Sequence, residues 1–174
     1  MDKKLLYVSL FSLSWALNIV LGRYLIKTGL HPLNLTYLSL AFSTLIILTY
    51  LFLTNPKAIK SGSKQSHIGA IISGIIGGGL ANIFGNYGLQ LSTATNYGFL
   101  IKTAGAFNVL LAFLILREPI SKFKGILLTV MLAGSYLLST NGQLLKPHFG
   151  DIFILLAALG YGAASVLNRK VLKK

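Results

Sequence analysis

Six long apolar runs, each close to the length needed to cross a bilayer, constrain this chain more than any other feature. They occupy residues 5–26, 33–53, 68–90, 95–116, 123–140 and 149–168. A hydrocarbon core about 30 Å thick takes roughly 20 residues of helix. In lipid each backbone polar group must be paired within its own segment. The runs therefore predict an all-α, polytopic transmembrane helical bundle of six spans. Little chain is left over for a soluble domain. Pro32, Pro56, Pro119 and Pro147 all fall in the expected connections, where a missing N–H costs nothing. Only 11% of the residues are charged, against about 25% in soluble domains.

Charge then orients the spans. Of 16 Lys and Arg, twelve lie on the side holding the two termini: Lys3, Lys4, Lys57, Lys60, Lys64, Arg117, Lys122, Lys124, Arg169, Lys170, Lys173 and Lys174. Three, Arg23, Lys27 and Lys146, lie on the other side, and Lys102 sits inside a span. Lys and Arg accumulate in cytoplasmic loops, so both termini are expected in the cytoplasm and the protein in the cell (plasma) membrane. The +13 balance is therefore a topology signal. Nucleic acid is not an expected partner, because the basic residues form short clusters between apolar runs rather than one soluble face. The chain has no cysteine, which excludes thiol metal sites and disulfides. Its first run is too long for a signal-peptide core and lacks a small-residue cleavage site, so it reads as a retained span.

Spans one and six echo each other. "LSWALNIVLGRYLIK" (residues 13–27) aligns without a gap on "LGYGAASVLNRKVLK" (residues 159–173). Leu13/Leu159, Val20/Val166, Leu21/Leu167, Arg23/Arg169 and Lys27/Lys173 are identical, and Trp15 faces Tyr161. The two spans run in opposite directions across the membrane, so the copies are inverted, as in many secondary transporters.

Three stretches then resemble the EamA-type domain of the drug/metabolite transporter superfamily. "SWALNIVLGRYLIK" is similar to that family's opening span. "YGLQLSTATNYGFLIKTAGAFNVLLAFLILREPISKFKGILLTVMLAGSYLL" resembles its third-to-fifth-span block, with Glu118 closing span four and Gly125 opening span five. "GDIFILLAALGYGAAS" resembles the entry to a second repeat. Where many members carry a proline midway along span four, this chain has Gly105. The resemblance implies a ten-span carrier built from two inverted five-span repeats. Residues 1–142 would then be the first repeat and 149–174 the first helix of a truncated second one. It also implies alternating access, with a small metabolite or drug bound at the repeat interface.

Candidate site residues follow from polar groups at membrane depth. Lys102 would lie about 10 Å below the outer surface at 1.5 Å per residue. It can line a cavity for anionic or zwitterionic solutes, snorkel to water, or pair with Asp151 at the start of span six. Asn82, Asn86 and Gln90 recur at i, i+4 and i+8, so they share a helix face. That face either hydrogen-bonds a neighbouring helix or walls a cavity opposite Lys102, joined by Asn18 and Trp15. Gly74 and Gly78 form a GxxxG pair expected to pack closely on another helix. "GIIGGG" lacks the Gly-Lys-Ser/Thr of a phosphate loop.

His31, His67 and His148 sit at span ends without metal-ligand spacing. No paired carboxylates and no nucleophile–base set occur, so neither an enzyme nor a cofactor is expected. The expected function is a membrane transporter, or half of one, for small metabolites or drugs. Its partners would be the bilayer, the solute, and a second half-transporter chain or further copies of itself. The alternative is an accessory or assembly subunit, or an inert truncated fragment of a ten-span protein.

Overall fold

In the computed structural model, residues 3–56, 63–144 and 146–172 are described. Asp2, Lys57, Lys60, Lys173 and Lys174 lie outside them. The described residues form a helical bundle without strands: α1 (Lys3–Lys27), α2 (Pro32–Thr54), α3 (Lys64–Ser73), a π-helical stretch (Gly74–Leu80), α4 (Ala81–Leu91), α5 (Ala94–Leu100), α6 (Thr103–Leu116), α7 (Lys122–Thr140) and α8 (Gly150–Leu172). All six expected spans are present within a few residues of their expected ends. Five of them are long and apolar enough to cross a membrane, and the sixth is the 19-residue α7.

Side-chain oxygens set several of the helix starts. Ser63, Thr93 and Ser121 accept from the N–H of Ser66, Asn96 and Lys124, satisfying donors that have no intrahelical partner. Pro32 sits in the first turn of α2 rather than in the preceding connection, a position that also needs no N–H.

Two spans depart from the expected continuous helix. Span three changes to π-helix over Gly74–Leu80 before resuming as α4. Span four breaks at Ile101–Lys102, where the Lys102 N–H turns to the Phe99 carbonyl at 3.0 Å. The break thus falls three residues before Gly105, whose own N–H bonds Lys102 O at 3.0 Å.

The most buried helix is the last. In α8, 39% of the span is buried, against 6% in each of α1 and α2. It packs against α3, the π-helical stretch, α4, α5 and α6. Ile154, Ala157, Ala158 and Val166 are fully enclosed. Lipid is as apolar as leucine, so no hydrophobic effect draws helices together within it; close backbone approach between small residues does. Gly77 meets the Ala164 methyl, Gly160 meets Ala81, and Gly88 lies against Ile154. The expected Gly74/Gly78 pair is not this contact, because Gly74 has open space around it and Gly78 reaches only Leu40. With its longer repeat, the π-helical stretch turns Gly77, rather than its neighbours, towards α8.

A β-carbon at Gly88 would stand 2.5 Å from Ile154 Cγ1 and 3.0 Å from its backbone nitrogen. Gly88→Val is therefore expected to destabilise the bundle by about 1–3 kcal/mol. Thermal unfolding in detergent would read this as a lower midpoint. Gly125→Ala, on α7 with nothing within 4 Å, should hold or raise the midpoint; equal losses from both variants would refute the α4–α8 seam.

Candidate functional site

Polar residues from three helices meet in one cavity of about 480 Å³. Trp15 and Asn18 come from α1, Thr36, Ser39 and Ser43 from α2, and Asn82 and Asn86 from α4. Four of the six candidate residues read from the sequence are thus brought together. Gln90 is not among them: it is exposed and does not line the cavity.

Lys102 lines an adjoining groove of about 380 Å³ with Phe11, Trp15, Ile101, Ala104, Gly105, Met131 and Tyr161. Phe11 and Trp15 wall both spaces. Their rings stack with centroids 6.0 Å apart. Trp15 also meets Tyr161 edge-on at 6.0 Å and 74°. The two aromatics matched in the span-one and span-six echo therefore touch. Tyr161 was not a candidate from sequence, although its alignment with Trp15 was the available signal. Its hydroxyl donates to Asn82 Oδ1 at 2.9 Å.

The amides are anchored from behind. Asn82 Nδ2 donates to Gly78 O at 2.8 Å and to Gly77 O at 3.3 Å. Asn86 Nδ2 donates to Thr36 Oγ1 at 2.8 Å. The Asn86 amide thus bonds a neighbouring helix and the Asn82 amide its own span, and both residues line the cavity, with Lys102 in the groove beside it.

Asp151 does not pair with Lys102. Its carboxylate accepts from the Ser92 hydroxyl, from Asn96 Nδ2 at 2.8 Å and from the His148 N–H at 2.9 Å. These donors close the α4–α5 turn onto the start of α8 and satisfy the carboxylate where it stands. Asn96 is itself buried and also donates to Lys146 O at 2.9 Å. Beside them, Arg23 donates to Leu89 O and Ser92 O at 3.2 and 3.0 Å, holding α1 to the end of α4.

At the opposite end of α8, Arg169 bonds Asn108 Oδ1 and pairs with Glu118 at 3.1 Å. Glu118 thereby ties the α6–α7 connection to α8. The arginines matched in the echo thus play parallel parts, each fastening its helix to the end of a neighbouring one. Neither cluster was legible as such, since the partners that each joins to α8 or its approach lie 50 or more residues away in sequence. Among the described residues no His, Asp or Glu cluster is arranged to hold a metal.

Apolar spans surrounding a polar, aromatic-walled cavity define a multi-pass helical membrane protein with a solute-sized chamber. The EamA-like transporter family model matches residues 2–140. The chain belongs to that family, whose members are transporters rather than enzymes. It is 24% identical over 168 residues to an S-adenosylmethionine uptake transporter of Rickettsia prowazekii (strain Madrid E), covering 91% of this chain and 52% of the relative. It is 26% identical over 166 residues to the protein of that name from Rickettsia felis (strain ATCC VR-1525 / URRWXCal2), covering 90% and 51%. The chain thus spans about half the length of these curated relatives. No solved structure matches it.

Asn96→Leu removes, from a buried position, the amide N–H donors that Asp151 and Lys146 O accept. It is expected to cost about 1–3 kcal/mol, the penalty for stranded polar partners, as a lower thermal midpoint in detergent. An unchanged midpoint would mean that this polar knot does not hold α8.

Proposed function

We propose that this chain forms the first repeat and the opening helix of an inverted second repeat in a secondary carrier of small metabolites. Residues 1–142 would make the five-helix repeat and 149–174 the start of its counterpart. The observation that carries this reading is the cavity, where polar side chains from α1, α2 and α4 converge inside an otherwise apolar bundle. A polar chamber in a membrane is expensive unless it holds water or a solute. The family match and the relatives' printed substrate support a small organic solute.

Lys102, beside Trp15 and Tyr161, supplies positive charge for a carboxylate or similar group in transit. Alternating access follows if the polar chamber opens in turn to each side. The open flanks of α1 and α2, 6% buried, favour assembly with a second half-transporter chain or another copy.

Uptake of radiolabelled S-adenosylmethionine into proteoliposomes holding the chain tests the carrier reading. Accumulation above protein-free vesicles is expected. No uptake by folded protein would favour the accessory reading. Lys102→Ala should lower uptake about tenfold or more without moving the thermal midpoint. Unchanged uptake would leave Lys102 a snorkelling residue.

Orientation is open to direct labelling, because the chain lacks cysteine. With both termini cytoplasmic in the plasma membrane, a membrane-impermeant maleimide outside the cell should label Gln143→Cys and spare Lys122→Cys. The reverse pattern would invert the topology.

A further inference from the structure

A free asparagine presents both a donor and an acceptor, and so does not choose between solutes. Asn82 and Asn86 are not free. The partners of the Asn82 amide nitrogen, Gly77 O and Gly78 O, are backbone carbonyls that can only accept, so the NH₂ must face them. These carbonyls lie in the π-helical stretch, where the changed bonding pattern meets the start of α4. The Asn82 oxygen is thereby turned the other way, towards Tyr161, whose hydroxyl takes one of its two lone pairs.

The same logic orients Asn86. The Thr36 hydroxyl lies 3.0 Å from Pro32 O and donates its proton there. It therefore accepts from Asn86 Nδ2 at 2.8 Å. Asn86 Oδ1 is left with no hydrogen-bond partner among the described residues, on the cavity wall and one helical turn from Asn82. No acid and no lysine or arginine lines this cavity. The Trp15 ring, whose face attracts cations, also lines it.

We infer that Asn82 and Asn86 make the α4 wall acceptor-only, so that the cavity selects solutes by the N–H donors they turn towards it. The fitting groups are an ammonium, a guanidinium or an exocyclic amine. A carboxylate or phosphate finds no fixed donor on this wall. With Lys102 in the groove beyond Trp15, the two spaces together suit a zwitterion, its amine at α4 and its acid at Lys102. This rests on the cavity being the solute site proposed above, and names what that site reads.

Trp15 is the sole tryptophan of the chain and walls the cavity, so its fluorescence reports occupancy without any transport. Three probes of similar size are titrated into the nanodisc-embedded chain: phenethylammonium, its N,N,N-trimethyl analogue and phenylacetate. The trimethyl compound keeps the charge and loses the donors. Phenethylammonium should bind about tenfold tighter than the trimethyl analogue, the worth of about one good hydrogen bond. Asn86→Leu should erase that difference, whereas Asn86→Asp, which keeps an acceptor, should preserve or enlarge it. Equal affinities for the two cations overturn the inference on the unmodified chain, as does a preference for phenylacetate that persists in Lys102→Ala. Discrimination without S-adenosylmethionine uptake would sustain the acceptor wall and sink the carrier reading. Uptake without discrimination would do the opposite.

Discussion

Helices in lipid gain nothing from burying one apolar side chain against another, so this fold depends on backbones that come close enough to touch. α8 is where they do. Its Ala164, Gly160 and Ile154 meet Gly77, Ala81 and Gly88 along the third span, while larger side chains on α1 and α2 face outward. Two polar clasps fix the register of this seam. Asp151 holds one end of α8 through Ser92, Asn96 and His148, and Arg169 holds the other through Asn108 and Glu118. Charged and amide groups are stable at such places when they are paired; among the described residues only Arg169 Nε is buried there without a hydrogen bond.

The cavity is a consequence of that seam. Once α8 occupies the centre, α4 also faces α1 and α2, where Asn86 bonds Thr36 and the asparagines share a cavity with Ser39 and Ser43. Tyr161 carries the link between the two: it lies on the central helix, touches Trp15, and bonds Asn82. The π-helical stretch has a part on both sides. It aims Gly77 at Ala164 and offers carbonyls to Asn82, so close packing and amide orientation depend on one departure from α-helical geometry. π-Helical segments occur often at functional positions, and here the reason is visible in named contacts.

The internal echo acquires a structural meaning as well. Arg23 and Arg169, matched in the alignment, each reach past their own helix to fasten a neighbour. Trp15 and Tyr161, also matched, meet edge to edge. The family model ends at residue 140, yet the helix beyond it is the most enclosed of the bundle.

Much of this was present in the residues themselves. Six spans, their ends to within a few residues, the proline-marked connections and the family follow from length, apolarity and local motif, which belong to each segment alone. The shared face of Asn82 and Asn86 was likewise readable from helical spacing. Tertiary structure decided the rest. It chose Gly77 over Gly74 and Gly78, gave Asp151 to Asn96 instead of Lys102, left Gln90 out of the cavity and committed the amide nitrogens of Asn82 and Asn86 to Gly78 O and Thr36 Oγ1. Each is a pairwise matter of which backbone approaches which and where a donor finds its acceptor. Apolarity, which is nearly uniform along these spans, carries no record of such pairings.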